Sequence, residues 1–156
     1  MSGFTAAGIS KTLVTTTQQA PLGFILTVPD GDKGAQEWIY VKAEDAFSIG
    51  EIAARKAATL TYENVKSAPT DCPSANVVGV AQHAIAAGSY GFILRKGIGK
   101  VIADTGGLTA NSAMVVGNAV AGTADNVGAV TTHAFGVCLE TKTATNAADC
   151  HVNCMG

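Results

Sequence analysis

Glycines at positions 88, 97, 99, 106, 107, 117, 122 and 128 cut the second half of the chain into short apolar runs. Helices usually run about ten residues or more, so these runs are too short to be helical. They read as strands near 77–82, 90–94, 100–103, 113–116, 127–131, 135–140 and 150–154. Many short strands separated by glycine turns specify an all-β fold, a small sandwich or barrel of jelly-roll-like form. The best-patterned stretch, "VVGVAQHAIAAGSYGFILRKGIGKV" (77–101), reads as a hairpin, with Val78, Val80, Phe92 and Leu94 helping to fill the core.

The first half is built differently. Residues 1–20, rich in Thr, Ala and Gln, read as an extended N-terminal arm with spaced apolar anchors at Phe4, Ile9, Leu13 and Val14. Residues 21–156 then form the β-rich domain. Segment 22–28 is a β-prone run between Pro21 and Pro29, and 30–34 ("DGDKG") has turn chemistry. Segment 37–43 alternates as a strand, with Trp38 and Tyr40 on one face and Ile39 and Val41 on the other. Across 49–58 two structures compete. Propensity favours a helix over 51–58, yet no apolar stripe holds helical spacing beyond two turns, which leaves strand as the alternative. Segment 58–65 reads as strand, and 66–76, with Pro69 and Pro73, as a loop.

Charged residues make up only 14% of the chain, and the net charge is −2. Such a composition fits either a compact β protein of small residues or a surface largely covered by partners. The longest basic clusters are the pairs Arg55-Lys56 and Arg95-Lys96, too few to bind nucleic acid. No apolar run has the length of a membrane span, and the first residues lack the features of a secretory leader, so no membrane partner is expected and synthesis in a cytoplasm is. In that setting Cys72, Cys138, Cys150 and Cys154 are expected to be free thiols acting as small apolar residues.

Four stretches invite a chemical reading. "AGSYG" around Ser89 has a strand after the serine, where a nucleophile elbow needs a helix. "RKGIGK" lacks the first glycine of a phosphate loop and has Val101 in place of Ser or Thr. "DGDKG" places Val41 where a calcium loop needs its bidentate carboxylate. "CHVNC" tempts towards zinc, but Cys150, Val152 and Cys154 fit one face of a strand, with the cysteine Cα atoms roughly 13 Å apart. His83 and His133 are expected to be satisfied or exposed. The expectation is therefore no catalytic residue, no metal and no cofactor, although an enzyme with residues scattered along the chain stays open as a rival.

Over about residues 20–140, "PLGF", "EWIYVKA", "SIGEIA", "VVGVAQHAIAAGSYGFILRKGIGKVIAD", "GLTANSAMVVG" and "AFGVCLE" follow one another in an order that resembles bacteriophage capsid decoration (cement) proteins. The resemblance implies a non-enzymatic homotrimer on the outer surface of an icosahedral head. It would be assembled in the host cytoplasm and would tie subunits of the major capsid protein together. The arm residues Phe4, Ile9, Leu13 and Val14 are the candidate capsid contacts. The alternative is a small β-sandwich module on a virion that binds carbohydrate. It would need exposed aromatics, for which Trp38 and Tyr40 are the candidates.

Overall fold

A strand buried on both faces needs apolar residues at consecutive positions, and two segments of this chain supply them. These are β3 (Gly34–Lys42) and β7 (Tyr90–Ile102). The computed structural model describes residues 9–30, 33–56, 61–70, 72–127 and 134–155. Among them the fold is all-β and sandwich-like, with eleven strands in one hydrogen-bonded network. The remaining strands are β1 (Val14–Thr15), β2 (Ile25–Asp30), β4 (Ile52–Arg55), β5 (Val65–Ser67), β6 (Val77–Val80), β8 (Ala113–Val116), β9 (Ala124–Asn126), β10 (Gly136–Cys138) and β11 (Ala147–Asn153). The main path runs β5-β4-β6-β7-β11-β10-β8-β9, and β1 and β3 branch from β7, with β2 paired to β3.

Two apolar layers flank the central strands. Trp38, Tyr40, Phe92 and Leu94 enter the larger layer with Leu26, Met114 and Phe135, whereas Ile39, Val41 and Ile93 enter a second layer with Phe47, Val65 and Val78. The period-2 split of β3 expected from the sequence is thus present, and both of its faces are core. Phe92 is fully buried, with its ring 4.9 Å from Tyr40 and 6.4 Å edge-on to Phe24.

The competition over 49–58 is settled as strand. Ile52 and Ala54 point into the larger layer and Ala53 into the second, and all three are fully buried. A helix offers one apolar stripe, so two-sided burial overrides the helix propensity of this segment. Its pairing partners are β5 and β6. Within 58–65, expected as strand, residues 57–60 lie outside the described residues and Tyr62–Asn64 is a 3-10 turn. The strand begins only at Val65, the last residue of that segment, and runs on through Ser67 into the segment expected to be a loop, because β4 supplies main-chain partners there.

The separate strands expected at 90–94 and 100–103 are one strand, β7. It pairs with β3 from Tyr90 to Lys96 and with β11 from Lys96 to Ile102. Gly97 sits at the handover with φ +122°, and a Cβ there would lie 3.2 Å from the Ala35 carbonyl oxygen. Only glycine fits such a bend without strain. Of the strand expected at 127–131, residues 128–131 lie outside the described residues and Val127 is not in a strand; β9 lies just before it at Ala124–Asn126.

Of the segment 1–20, β1 pairs with Tyr90 and Gly91, Ala20 is buried, and the Gln19 N–H donates to the Tyr40 hydroxyl at 3.0 Å.

Because β7 is buried on both faces, neighbouring substitutions that point opposite ways should both be costly. Phe92→Ala should lose roughly 3–5 kcal/mol and Ile93→Ala roughly 2–5 kcal/mol, read from urea unfolding midpoints. A loss below about 1 kcal/mol at Ile93 would mean that the second layer is not a core.

Candidate functional site

The described surface has a cleft of about 280 Å³ lined by Lys11, Lys33, Gln36, Trp38, Gln82, His83, Ile98 and Lys100 among others. It exists because β6 leaves β7 after the Val80–Leu94 pair. Beyond that point side-chain amides take over the work of a strand. Gln82 accepts from the Lys100 N–H at 2.7 Å and donates to the Lys100 carbonyl at 2.9 Å. Gln36 donates to the Ile98 carbonyl at 2.8 Å. A Cβ at Gly99 would stand 2.7 Å from the Gln82 carbonyl oxygen, so glycine there lets the amide reach the backbone.

The rim is cationic but largely paired. Lys100 reaches Asp149 at 2.9 Å and Glu140 at 3.4 Å, and Lys33 lies 4.0 Å from Asp149. The hydrogen bond from Lys100 to Asp149 is the main reason its ammonium is held above the ordinary lysine range, against the opposing effect of burial. The Asp149 N–H donates to Glu140 at 2.7 Å and holds that carboxyl below its usual range. Lys11 donates to Gln36 at 3.3 Å and lies over the Trp38 ring, 5.2 Å from its centre. His83 stacks on the other side of the cleft against Trp38, with ring centres 6.4 Å apart. Burial lowers its pKa and favours the neutral imidazole. Neither ring nitrogen has a hydrogen-bond partner among the described residues, so His83 is not the satisfied or exposed histidine expected from the sequence. Among the described residues its imidazole therefore has neither the hydrogen-bonded nucleophile nor the orienting group that nucleophilic catalysis pairs with a base. The cleft can hold polar or anionic surface groups by hydrogen bonds and charge.

A second unusual polar group is Asp104, which is fully buried. Its carboxylate accepts from the Thr105 N–H at 2.7 Å and the Ala119 N–H at 2.9 Å. Burial pushes its pKa up. The N–H groups of Ala119, Thr105 and Asn118, with the Thr123 hydroxyl, outweigh that and hold it below the usual carboxylate range. Asp104 ties the turn after β7 to the β8–β9 connection, and the sequence shows only an Asp-Thr-Gly-Gly turn there.

The candidate contact residues of the arm are not brought together. Phe4 lies outside the described residues. Ile9 packs against the chain's own larger core layer, Leu13 is half-buried, and Val14 is exposed on β1. Further exposed apolar side chains, which sequence pattern did not single out, are Phe24 and Ile25 at the start of β2 and Val137 and Leu139 on and beside β10. The other motifs resolve as structure. Ser89 lies in the turn before β7, its N–H bonded to the Ala86 carbonyl at 3.1 Å. The "RKGIGK" residues are inside β7. Residues 31–32 of "DGDKG" lie outside the described residues. Cys150, Val152 and Cys154 all enter the larger core layer, and burial raises the Cys154 thiol to about 12. Trp38 and Tyr40, the candidate sugar platform, are 3% and 0% exposed and so present no open ring face.

No protein-family model matches the chain, and no curated protein matches its sequence. A solved structure does share its fold. The N base of the head fibre protein gp8.5 of bacteriophage phi29 aligns with a TM-score of 0.53 over 74% of this chain and 92% of that chain, at 14% sequence identity. The likeness is one of fold, and it spans most of both chains.

Asp104 gives the domain an acid limb of stability. Its folded-state pKa lies below the unfolded value of ~3.9, so its contribution is full above that value and is lost as pH falls through the folded one. Asp104→Asn should therefore lower stability at neutral pH and flatten the fall in urea midpoint between about pH 5 and pH 2. Parallel pH curves for the variant and the wild type would show that Asp104 carries no such linkage.

Proposed function

We propose that the chain is a structural protein of a phage head, acting as a decoration (cement) protein on the outer capsid surface. The observation that carries this reading is the fold shared with the phi29 head fibre base. The resemblance of its ordered motifs to capsid decoration proteins supports it, and so do the low charge content of 14% and the exposed apolar side chains on β1, β2 and β10. In this role the protein works by contact and not by catalysis. Its partner is the major capsid protein, and it sits as a homotrimer across neighbouring subunits. Any protein that binds only the assembled shell stabilises that shell by mass action, by about 2.7 kcal/mol per site at a free concentration of 100 Kd.

In the arm, Ile9 anchors the segment to its own domain and Val14 is exposed, and in this reading Phe4 and Val14 meet a neighbour. The test uses purified protein and intact phage heads stripped of it. The protein should co-sediment at saturating, symmetry-related occupancy, appear as trimeric density in electron cryomicroscopy, and raise the temperature at which the heads release DNA. A Phe4→Ala/Val14→Asp double variant should keep its melting temperature and bind at least about tenfold more weakly, equivalent to ~1.4 kcal/mol. Failure to sediment with heads at any concentration would overturn the proposal. Undiminished binding of the double variant would remove the arm from the contact.

A further inference from the structure

Cys138 on β10 and Cys150 on β11 stand directly opposite each other. The hydrogen bonds on either side fix what kind of pair they are. The Asn153 N–H donates to the Phe135 carbonyl at 2.7 Å, and the Leu139 N–H donates to the Asp149 carbonyl at 2.9 Å. Bonded and non-bonded pairs alternate along an antiparallel ladder, so Cys138–Cys150 falls on a non-bonded site. There the Cα atoms approach to about 4.5 Å and the side chains come closest. Disulfides accept Cα separations of roughly 4.4–6.8 Å. Both side chains point into the same core layer, where the Cys138 thiol donates to the Glu140 carbonyl at 2.9 Å and the Cys150 thiol to the Ala148 carbonyl at 3.6 Å. Cys154 lacks this arrangement, since its neighbour Asn153 pairs with Lys96 and its own N–H bonds to Arg95.

We propose that Cys138 and Cys150 are a dithiol oxidation site that closes to a cross-strand disulfide under oxidising conditions and locks β10 onto β11. Both thiols are free and buried. Cys138 lies on a three-residue strand between exposed Val137 and Leu139, so a small opening of β10 uncovers it. Cys150 sits mid-strand in β11, paired on one side with Gly99 of β7 and on the other with Cys138. The reaction is exchange with a small-molecule disulfide such as oxidised glutathione. The Cys138 thiol gives its proton to solvent, and the thiolate attacks one sulfur of the reagent. The reagent's S–S bond breaks, and one glutathione leaves as thiolate and takes up a proton. Cys150, deprotonated in turn, attacks the Cys138 sulfur and displaces the second glutathione. Two protein thiols become one disulfide, and the reagent takes two electrons as two thiols. If the chain rides on a virion, which rests on the proposed function, release from the host would supply the oxidising setting. The chemistry itself does not depend on that role.

The test is done on the full chain in solution, without phage heads, so it is independent of head binding. Folded protein is incubated with oxidised glutathione, quenched with an alkylating agent and mapped by mass spectrometry. The expected product is 2 Da lighter, with the Cys138 and Cys150 peptides joined and Cys72 and Cys154 alkylated. The melting temperature should rise by about 5–10 °C and return on reduction. Cys154→Ser should behave as wild type, whereas Cys138→Ser should show neither the link nor the rise. Four outcomes would overturn the proposal: a stable glutathione adduct at Cys138 that does not resolve, a link to a different cysteine, no link when the same reagent oxidises the urea-unfolded chain, or a lowered melting temperature on linking.

Discussion

The backbone of β7 is the constraint on which the rest of the structure depends. Its thirteen residues bond to β1, β3, β6 and β11. It therefore joins the hairpin of β2 and β3 to the C-terminal strands, which would otherwise be separate sheets. Over Phe92–Leu94 both of its faces are packed, Phe92 and Leu94 in the larger layer and Ile93 in the second, whereas Lys96 is exposed and Lys100 lines the cleft. Where neighbouring strands run out, Gln82 and Gln36 complete the hydrogen bonding of Lys100 and Ile98. Buried main-chain groups left without partners would cost about 1–3 kcal/mol each, so these two amides are part of the sheet in all but name.

The same economy of charge shapes the surface. With apolar residues committed to two layers, few charged groups remain, and those near the cleft are paired across it by Lys100, Asp149, Glu140 and Lys142. Exposed ion pairs of this kind contribute little to stability, but they tie the connection between β10 and β11 to β7 and β11. Among the exposed side chains are apolar ones on or beside short strands: Val14, Phe24, Ile25, Val137 and Leu139.

Period-2 patterning made much of this legible. The β2–β3 hairpin, the two faces of Trp38/Tyr40 and Ile39/Val41, the burial of Phe92 and Leu94, and the common face of Cys150, Val152 and Cys154 all follow from alternation. The fusion of two expected strands into β7 did not, because Gly97 and Gly99 read as a turn in sequence and act as a bend within a strand. Segment 52–55 was ambiguous because a run buried on both faces has neither helical nor alternating periodicity. The cleft and Asp104 were not legible at all. Each depends on groups far apart in the chain, such as Gln82 with Lys100 or Asp104 with Ala119, and no local pattern marks those meetings.

Native-state hydrogen exchange resolved to single amides tests most directly whether β7 is one spine. If it is, bonded amides from Phe92 through Val101 open only with the whole domain and share one protection factor across Gly97 and Gly99. Protection that breaks at Gly97, with residues 98–102 exchanging together at a faster rate than residues 92–96, would show two independent units and contradict the account.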